Sequence, residues 1–274
     1  MIPLTKKLGL MASLFLILGA AHLSAALLVN ESFDYVDGNL SGQNGGTGFT
    51  GAWSVSGSGT ITETVAGGLA SLSGNSGTAT ASRTFSSAIT SAGTSSFYFS
   101  FDVDVTALGS AVLSGSHSFS DTLSFLSGST VFSTSMFMTS SGYRLREAYN
   151  GGSTTAYING NSTTTGVTYT VVGAFTFDTG AGEASLTIWL NPTSQASTSV
   201  TYTWTSTVTS ITGISLARSD GFNVASGTTT TFDNIRVGTD WNSVTSSSVP
   251  EPASCAVLLG LAVAGLTVAT RRRF

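Results

Sequence analysis

The chain has 274 residues, of which 9% are charged, and a formal net charge of −4. Both lysines lie before residue 8, so residues 27–249 carry five arginines against thirteen carboxylates. An acidic body this poor in cations speaks against nucleic acid and anionic lipid as partners. The single cysteine, Cys255, rules out an internal disulfide framework.

The N-terminus reads as a processing segment. Lys6 and Lys7 form a basic start, residues 8–20 an apolar run too short to be a good membrane span, and Ser24-Ala25-Ala26 supplies small residues where a signal peptidase reads. Residues 1–26 are therefore expected to be a signal peptide with a helical apolar stretch, cut near Ala26.

Residues 27–238 read as one domain of short strands. Phe97, Phe99, Phe101, Val103 and Val105 alternate with polar or less apolar neighbours, which places them on one face of a strand. Val200, Tyr202 and Trp204 alternate with threonines in the same way. Residues 171–177 and 184–190 are two apolar runs separated by Asp178-Thr179-Gly180-Ala181-Gly182, the pattern of a hairpin. Further strands are expected at 27–33, 58–65, 78–86, 119–126, 130–138, 142–149, 212–218 and 230–237. About a dozen short strands with Gly, Ser and Asn between them predict an all-β, two-sheet antiparallel sandwich. No tandem repeat points to a propeller or solenoid. Residues 239–248 read as a linker.

The last segment, 249–274, has three parts in order. Val249-Pro250-Glu251-Pro252 resists helix because proline lacks an N–H and restricts the residue before it. Residues 253–270 carry no charge, and as a helix they cover roughly 27 Å, close to one hydrocarbon core. Arg271, Arg272 and Arg273 then hold that end on the cytoplasmic side. This arrangement resembles the PEP-CTERM sorting signal of bacteria with a Gram-negative envelope. The resemblance implies a transmembrane helix at 253–270, cleavage at or near Pro-Glu-Pro by an exosortase, and a final place at the cell surface or in the extracellular matrix.

A second resemblance covers the body. Asn30-Glu31-Ser32-Phe33-Asp34-Tyr35, the glycine-rich residues 42–48 with Trp53, the run Leu186-Thr187-Ile188-Trp189-Leu190-Asn191-Pro192, and Thr231-Phe232-Asp233-Asn234-Ile235-Arg236-Val237-Gly238 with Trp241 are similar to the concanavalin A-like (laminin-G-like) jelly-roll domain of PEP-CTERM proteins. It implies a jelly roll with first and last strands adjacent, and no agreed activity.

Several groups invite a chemical role. Asp102 and Asp104 share a strand face, as a glycosidase carboxylate pair could, yet nothing matches the Glu-x-Asp-x-x-Glu pattern of glucanases on this fold. The lone body histidine, His117, and the absence of body cysteines speak against zinc and give weak support to a Ser–His nucleophile. Glu31 and Asp233 are candidate ligands of a structural calcium ion between first and last strands. Trp53, Trp189, Trp204, Trp241, Tyr143 and Tyr149 are candidate sugar-stacking faces; Trp189 and Trp204 fit a core better, and Trp53 is expected at the surface. The glycines of residues 45–48 lack the strand–loop–helix setting of a phosphate loop. The expectation is an exported, non-enzymatic protein that binds exopolysaccharide. A glycoside hydrolase or lyase, and a structural surface protein without ligand, remain open.

Overall fold

The strict alternation at 97–105 builds the centre of the molecule. In the computed structural model, which describes residues 26–74, 76–107, 119–139, 142–149, 164–178, 182–220 and 228–246, these residues lie in β7 (Ser96–Ala107). Their side chains point inward, and Ser100, Asp102 and Asp104 point outward. The same period of two runs through the remaining strands. In chain order they are β1 (Leu27–Glu31), β2 (Gly38–Asn39), β3 (Phe49–Gly59), β4 (Thr62–Ala66), β5 (Leu69–Ser73) and β6 (Gly77–Thr90). After β7 come β8 (Phe119–Ser127), β9 (Ser129–Thr139), β10 (Gly142–Tyr149), β11 (Tyr169–Thr176) and β12 (Glu183–Leu190). The chain closes with β13 (Ser199–Thr205), β14 (Ser210–Asp220), β15 (Thr229–Gly238) and a helix, α1 (Trp241–Thr245).

Two antiparallel sheets face each other. The nine-stranded sheet has the order β13-β12-β11-β7-β15-β5-β4-β2, with β1 also paired to β15. The six-stranded sheet has the order β10-β9-β8-β14-β6-β3. Successive stretches of chain switch sheets repeatedly, which is the jelly-roll connection. β15 lies at the centre of the larger sheet: its first half pairs with β5, its second half with β1, and its other edge with β7. The first and last strands are therefore adjacent. The expected hairpin is present as β11 and β12, from Val171↔Leu190 to Thr176↔Ser185.

The sequence reading differs from the structure in three places. Residues 49–59 form a strand with a bulge between Thr50 and Ser54, which breaks the alternation a reader looks for. β4 and β5 replace the single strand expected at 58–65, because Gly67 and Gly68 turn the chain back at positive φ. The expected linker holds α1, whose N-terminus is closed by a capping box: Ser243 N donates to Asp240 Oδ1, and Asp240 N donates to Ser243 Oγ. Val244 of that helix packs with Val172 and Trp189 on the outer face of the larger sheet, and Trp241 meets Trp189 edge to face at 5.1 Å. The expected signal peptide and sorting tail lie outside the described residues. Among the described residues no helix is long and apolar enough to cross a membrane.

Between the sheets, phenylalanines dominate. Phe132 stacks on Phe125 at 4.7 Å and on Phe175 at 4.8 Å, and Phe99 meets Phe125 at 4.7 Å. Gly173 is what lets Phe99 lie flat across β11: a Cβ there would come within 2.1 Å of the Phe99 ring. Gly173→Ala therefore forces a repacking of this cluster, and we expect a loss of about 1–3 kcal/mol in chemical denaturation, as for other overpacked cores.

One inward position is polar and only weakly compensated. Glu63 on β4 is 6% exposed, and among the described residues neither carboxyl oxygen has a hydrogen-bond partner. Burial pushes its carboxyl up to about 7, against a smaller opposite pull from the Ala81 backbone N–H. An acid whose pKa is raised on folding binds its proton more tightly in the folded state, so stability falls as pH rises from its ordinary value near 4.5 towards 7. The Glu63→Gln variant should gain on the native protein by up to about 3 kcal/mol between pH 4 and pH 8 in unfolding measurements. A difference independent of pH would contradict the buried, protonated carboxyl.

Candidate functional site

The motif at residues 30–35 places Glu31 at the end of β1, fully buried. Its carboxylate accepts from four donors. Oε2 accepts from Arg83 Nη1 at 2.6 Å, Tyr35 OH at 2.6 Å and Trp53 Nε1 at 3.0 Å, and Oε1 accepts from Phe33 N at 3.0 Å. Phe33 takes a positive φ of 50° to aim that N–H inward. Arg83 reaches across from β6, donates to Gly51 O and Asn44 Oδ1, and lies 4.3 Å from the Phe49 ring centre. Burial and the Glu31 carboxylate together push the Tyr35 hydroxyl up to about 12, so it stays a proton donor. The glycine-rich loop docks on β1 through a bridge between Asn30 and Thr47. Gly48 permits the approach, since a Cβ there would lie 2.1 Å from Leu28 O.

These contacts place three of the residues singled out in the sequence. Glu31 is the counter-ion of Arg83 and accepts from four donors. Asp233 accepts from Asn234 N at 2.7 Å and lies near enough to Glu31 to feel its charge. Among the described residues no group of three or more His, Cys, Asp or Glu could hold a metal ion. Trp53 is buried rather than exposed: its indole stacks on Phe33 at 5.8 Å and its N–H is spent on Glu31.

A second buried arginine repeats the device. Arg218 on β14 grips Asp121 on β8 with two bonds of 2.7 and 2.6 Å. Thr230 of the opposite sheet donates to the same carboxylate at Oδ2, and Arg218 donates to Thr228 O. Arg218 pairs in register with Ala79, four residues from Arg83 on β6.

The remaining polar chemistry gathers on the outer face of the larger sheet, in an open groove of about 610 Å³ beside α1. Asp102, Thr170, Asn191, Asn234 and Arg236 line it, from β7, β11, the turn after β12, and β15. The groove is pre-set by hydrogen bonds. Asp102 accepts from Thr170 Oγ1 at 2.6 Å and from Asn234 Nδ2 at 2.9 Å, and Asn191 Oδ1 accepts from Thr170 N at 2.8 Å. Asn191 and Asn234 both sit at positive φ, 45° and 51°, which asparagine tolerates better than most residues. Arg236 donates to Ser246 O and Ser100 Oγ donates to Val244 O, so the chain end forms one wall. Asn234 Nδ2 also donates to Asp233 Oδ2 at 3.1 Å. Burial first, and then the charges of Asp102, Asp34 and Glu31, push the Asp233 carboxyl up to about 6.

The sequence candidates scatter around this site. Asp102 and Asp104 do share the outer face, but Asp104 lines a separate cavity of about 140 Å³ with Asp102 and Asp233. Burial raises the Asp104 pKa. Trp189 and Trp204 are buried and Trp241 is packed in α1. His117, the side chains of Tyr143 and Tyr149, Val249, Pro250, Glu251, Pro252 and Arg271, Arg272 and Arg273 lie outside the described residues and side chains. Thr170, Asn191 and Asn234 were missed because a search for aromatic platforms and paired carboxylates passes over amides and hydroxyls. The available signal was Asn at a turn beside a strand end, as in Asn191-Pro192 and Asp233-Asn234.

Residues 248–273 match the PEP-CTERM protein-sorting motif. No curated protein matches the chain. Among solved structures the chain is similar in course to the CBM2 module of the evolved Dit of Lactobacillus casei BL23 phage J-1, at 15% identity and a TM-score of 0.48 over 79% of this chain and 98% of that one. It is also similar to lectin II from Ulex europaeus, at 11% identity and a TM-score of 0.43 over 69% and 93%. A third is the alginate lyase vAL-1 from Chlorella virus, at 10% identity and a TM-score of 0.42 over 69% and 93%. These are likenesses in chain course alone.

The Glu31–Arg83 pair makes a clear prediction. Glu31→Gln or Arg83→Met should each cost about 3–5 kcal/mol in denaturant unfolding, since each strands a buried partner. The double variant should lose less than the two added together. Added calcium should not change the melting of the native protein through Glu31.

Proposed function

We propose that the protein is exported, processed through its C-terminal sorting signal, and displayed at the cell surface or in the extracellular matrix as a non-catalytic polysaccharide-binding protein. The match of residues 248–273 to the sorting motif carries the delivery half of this reading. In it, residues 1–26 are removed on export, the span at 253–270 anchors the precursor, and an exosortase-type enzyme cuts at or near Val249-Pro250-Glu251-Pro252.

The outer groove supports the binding half. A carboxylate and amides held in place by Thr170 and Asn234 are the groups that meet pairs of sugar hydroxyls. The groove is open to solvent, as binding to an uncut polymer requires. The lining holds one carboxylate, Asp102, and one cation, Arg236, whose Nη1 donates to Ser246 O, so it offers no excess of positive charge to polyuronates and favours neutral chains.

A hydrolase or lyase is the competing reading, and one observation bears on it. Asp102 and Asp233 share the Asn234 amide, so their carboxylates are close neighbours. That amide fills the space between them where a glycosidic oxygen would have to sit, and this favours binding without cleavage.

Two tests separate these outcomes. Asp102→Ala and Asn191→Ala should weaken binding of the organism's neutral exopolysaccharide about tenfold or more, while each lost hydrogen bond lowers stability by only about 1 kcal/mol and leaves the protein folded. No reducing ends should appear on long incubation; their release would establish the hydrolase, and absence of any binding would leave a structural surface protein. In cells, replacing Pro250 and Pro252 by alanine should accumulate uncut precursor in the membrane.

A further inference from the structure

One wall of the outer groove is the protein's own chain, and it is held there as a ligand would be. Ser100 and Arg236 line the groove, yet each donates to a backbone carbonyl of that wall, Ser100 Oγ to Val244 O at 2.8 Å and Arg236 Nη1 to Ser246 O. The Val244 side chain packs with Val172, which also lines the groove, and with Trp189. Trp189 is the cross-strand partner of Val172 and is 5% exposed. Its Nε1 is buried and has no hydrogen-bond partner among the described residues, although a buried indole N–H ordinarily finds one. The wall therefore covers an aromatic ring, two engaged donors and one idle donor.

The cover is held by few contacts. α1 has five residues, too few for a helix to persist by itself, so it stays helical only while docked. Ser243 and Val244 are its buried residues. Thr239 is pinned to the Ala26 backbone by two hydrogen bonds, which sets a pivot just before the helix. Beyond the pivot, the ties to the sheet are the Val244 packing, the edge contacts of Trp241 with Tyr98 and Trp189, and the two carbonyl bonds.

We propose that residues 240–246 are a displaceable strap over a second subsite of the groove, and that this subsite takes the acetamido group of an N-acetylated sugar. The inference rests on reading the groove as a polysaccharide site. The ligand class follows from what the strap presents, an apolar group beside a peptide carbonyl. An acetamido group offers the same pair. Its methyl takes the place of Val244 against Val172, its carbonyl accepts from Ser100 Oγ, and a sugar oxygen accepts from the idle Trp189 N–H. A plain hexose lacks the apolar half. The group is neutral, in keeping with the one carboxylate and one cation that line the groove.

Calorimetric titration of the exported protein with chitohexaose and with cellohexaose tests this. Trp241 does not line the groove, so Trp241→Ala loosens the strap without touching the subsite. It should raise affinity for chitohexaose about tenfold, because less of the binding energy is spent on opening, and leave cellohexaose within about twofold. Adding Ser100→Ala also loosens the strap but removes the donor, and should cancel the gain. In the native protein, saturating chitohexaose should speed hydrogen exchange at the Ser243 and Ser246 amides, now bonded to Asp240 Oδ1 and Asn242 O, about fivefold or more. An equal gain for both oligosaccharides, no gain, a gain that survives Ser100→Ala, or unchanged exchange at those amides would each overturn the strap. Where polymer binding that depends on Asp102 persists through such a result, the strap alone fails. Where neither protein binds any glycan, the polysaccharide reading fails and the strap with it.

Discussion

The fold depends on a buried ion pair that ties its first strand to the opposite sheet. Glu31 ends β1 in the larger sheet, and Arg83 rises from β6 in the smaller one. Two charges in a core are costly unless every lone pair and proton finds a partner. Here most do: Tyr35, Trp53, Phe33, Asn44 and Gly51 form the shell around the pair. The network fixes the loop between β1 and β3 and, through it, the entry of β1 beside β15. Arg218 and Asp121 perform the same task further along, with Thr230 crossing from the other sheet. In a body without cysteine, these two clamps add specific cross-sheet ties to the phenylalanine core.

The groove follows from the same arrangement. β15 is held centrally by β1, β5 and β7, so its bulge at Asp233 and Asn234 is presented on the outer face beside Asp102. The chain then turns through Thr239, which pairs with the Ala26 backbone, into α1. The helix covers the apolar patch of Val172 and Trp189 and leaves the polar half of the face open. The entry of the described chain at Ala26 and its exit past Thr239 therefore lie side by side.

Much of the architecture was legible from residues alone. Phe97 to Val105 and the hairpin of β11 and β12 announce themselves because each strand has one buried face. Trp53 misled because the bulge in β3 disrupts the alternation that marks a buried position. The Glu31–Arg83 pair was not legible because the two residues lie 52 positions apart in the sequence. α1 was hidden because five residues are too few for a helical period; only Asp240 and Ser243 signal it. The groove was the least visible feature, since Asp102, Thr170, Asn191 and Asn234 meet only after four separate strands are aligned.

The central claim is that the outer face beside α1 is where polysaccharide binds. Amide hydrogen exchange of the exported protein, with and without the organism's neutral exopolysaccharide, tests it most directly. The account predicts added protection at residues 100–102, 170–172, 191 and 234–236, and none on the six-stranded sheet. Protection spread over the six-stranded sheet, or no change at those positions under saturating polymer, would contradict it.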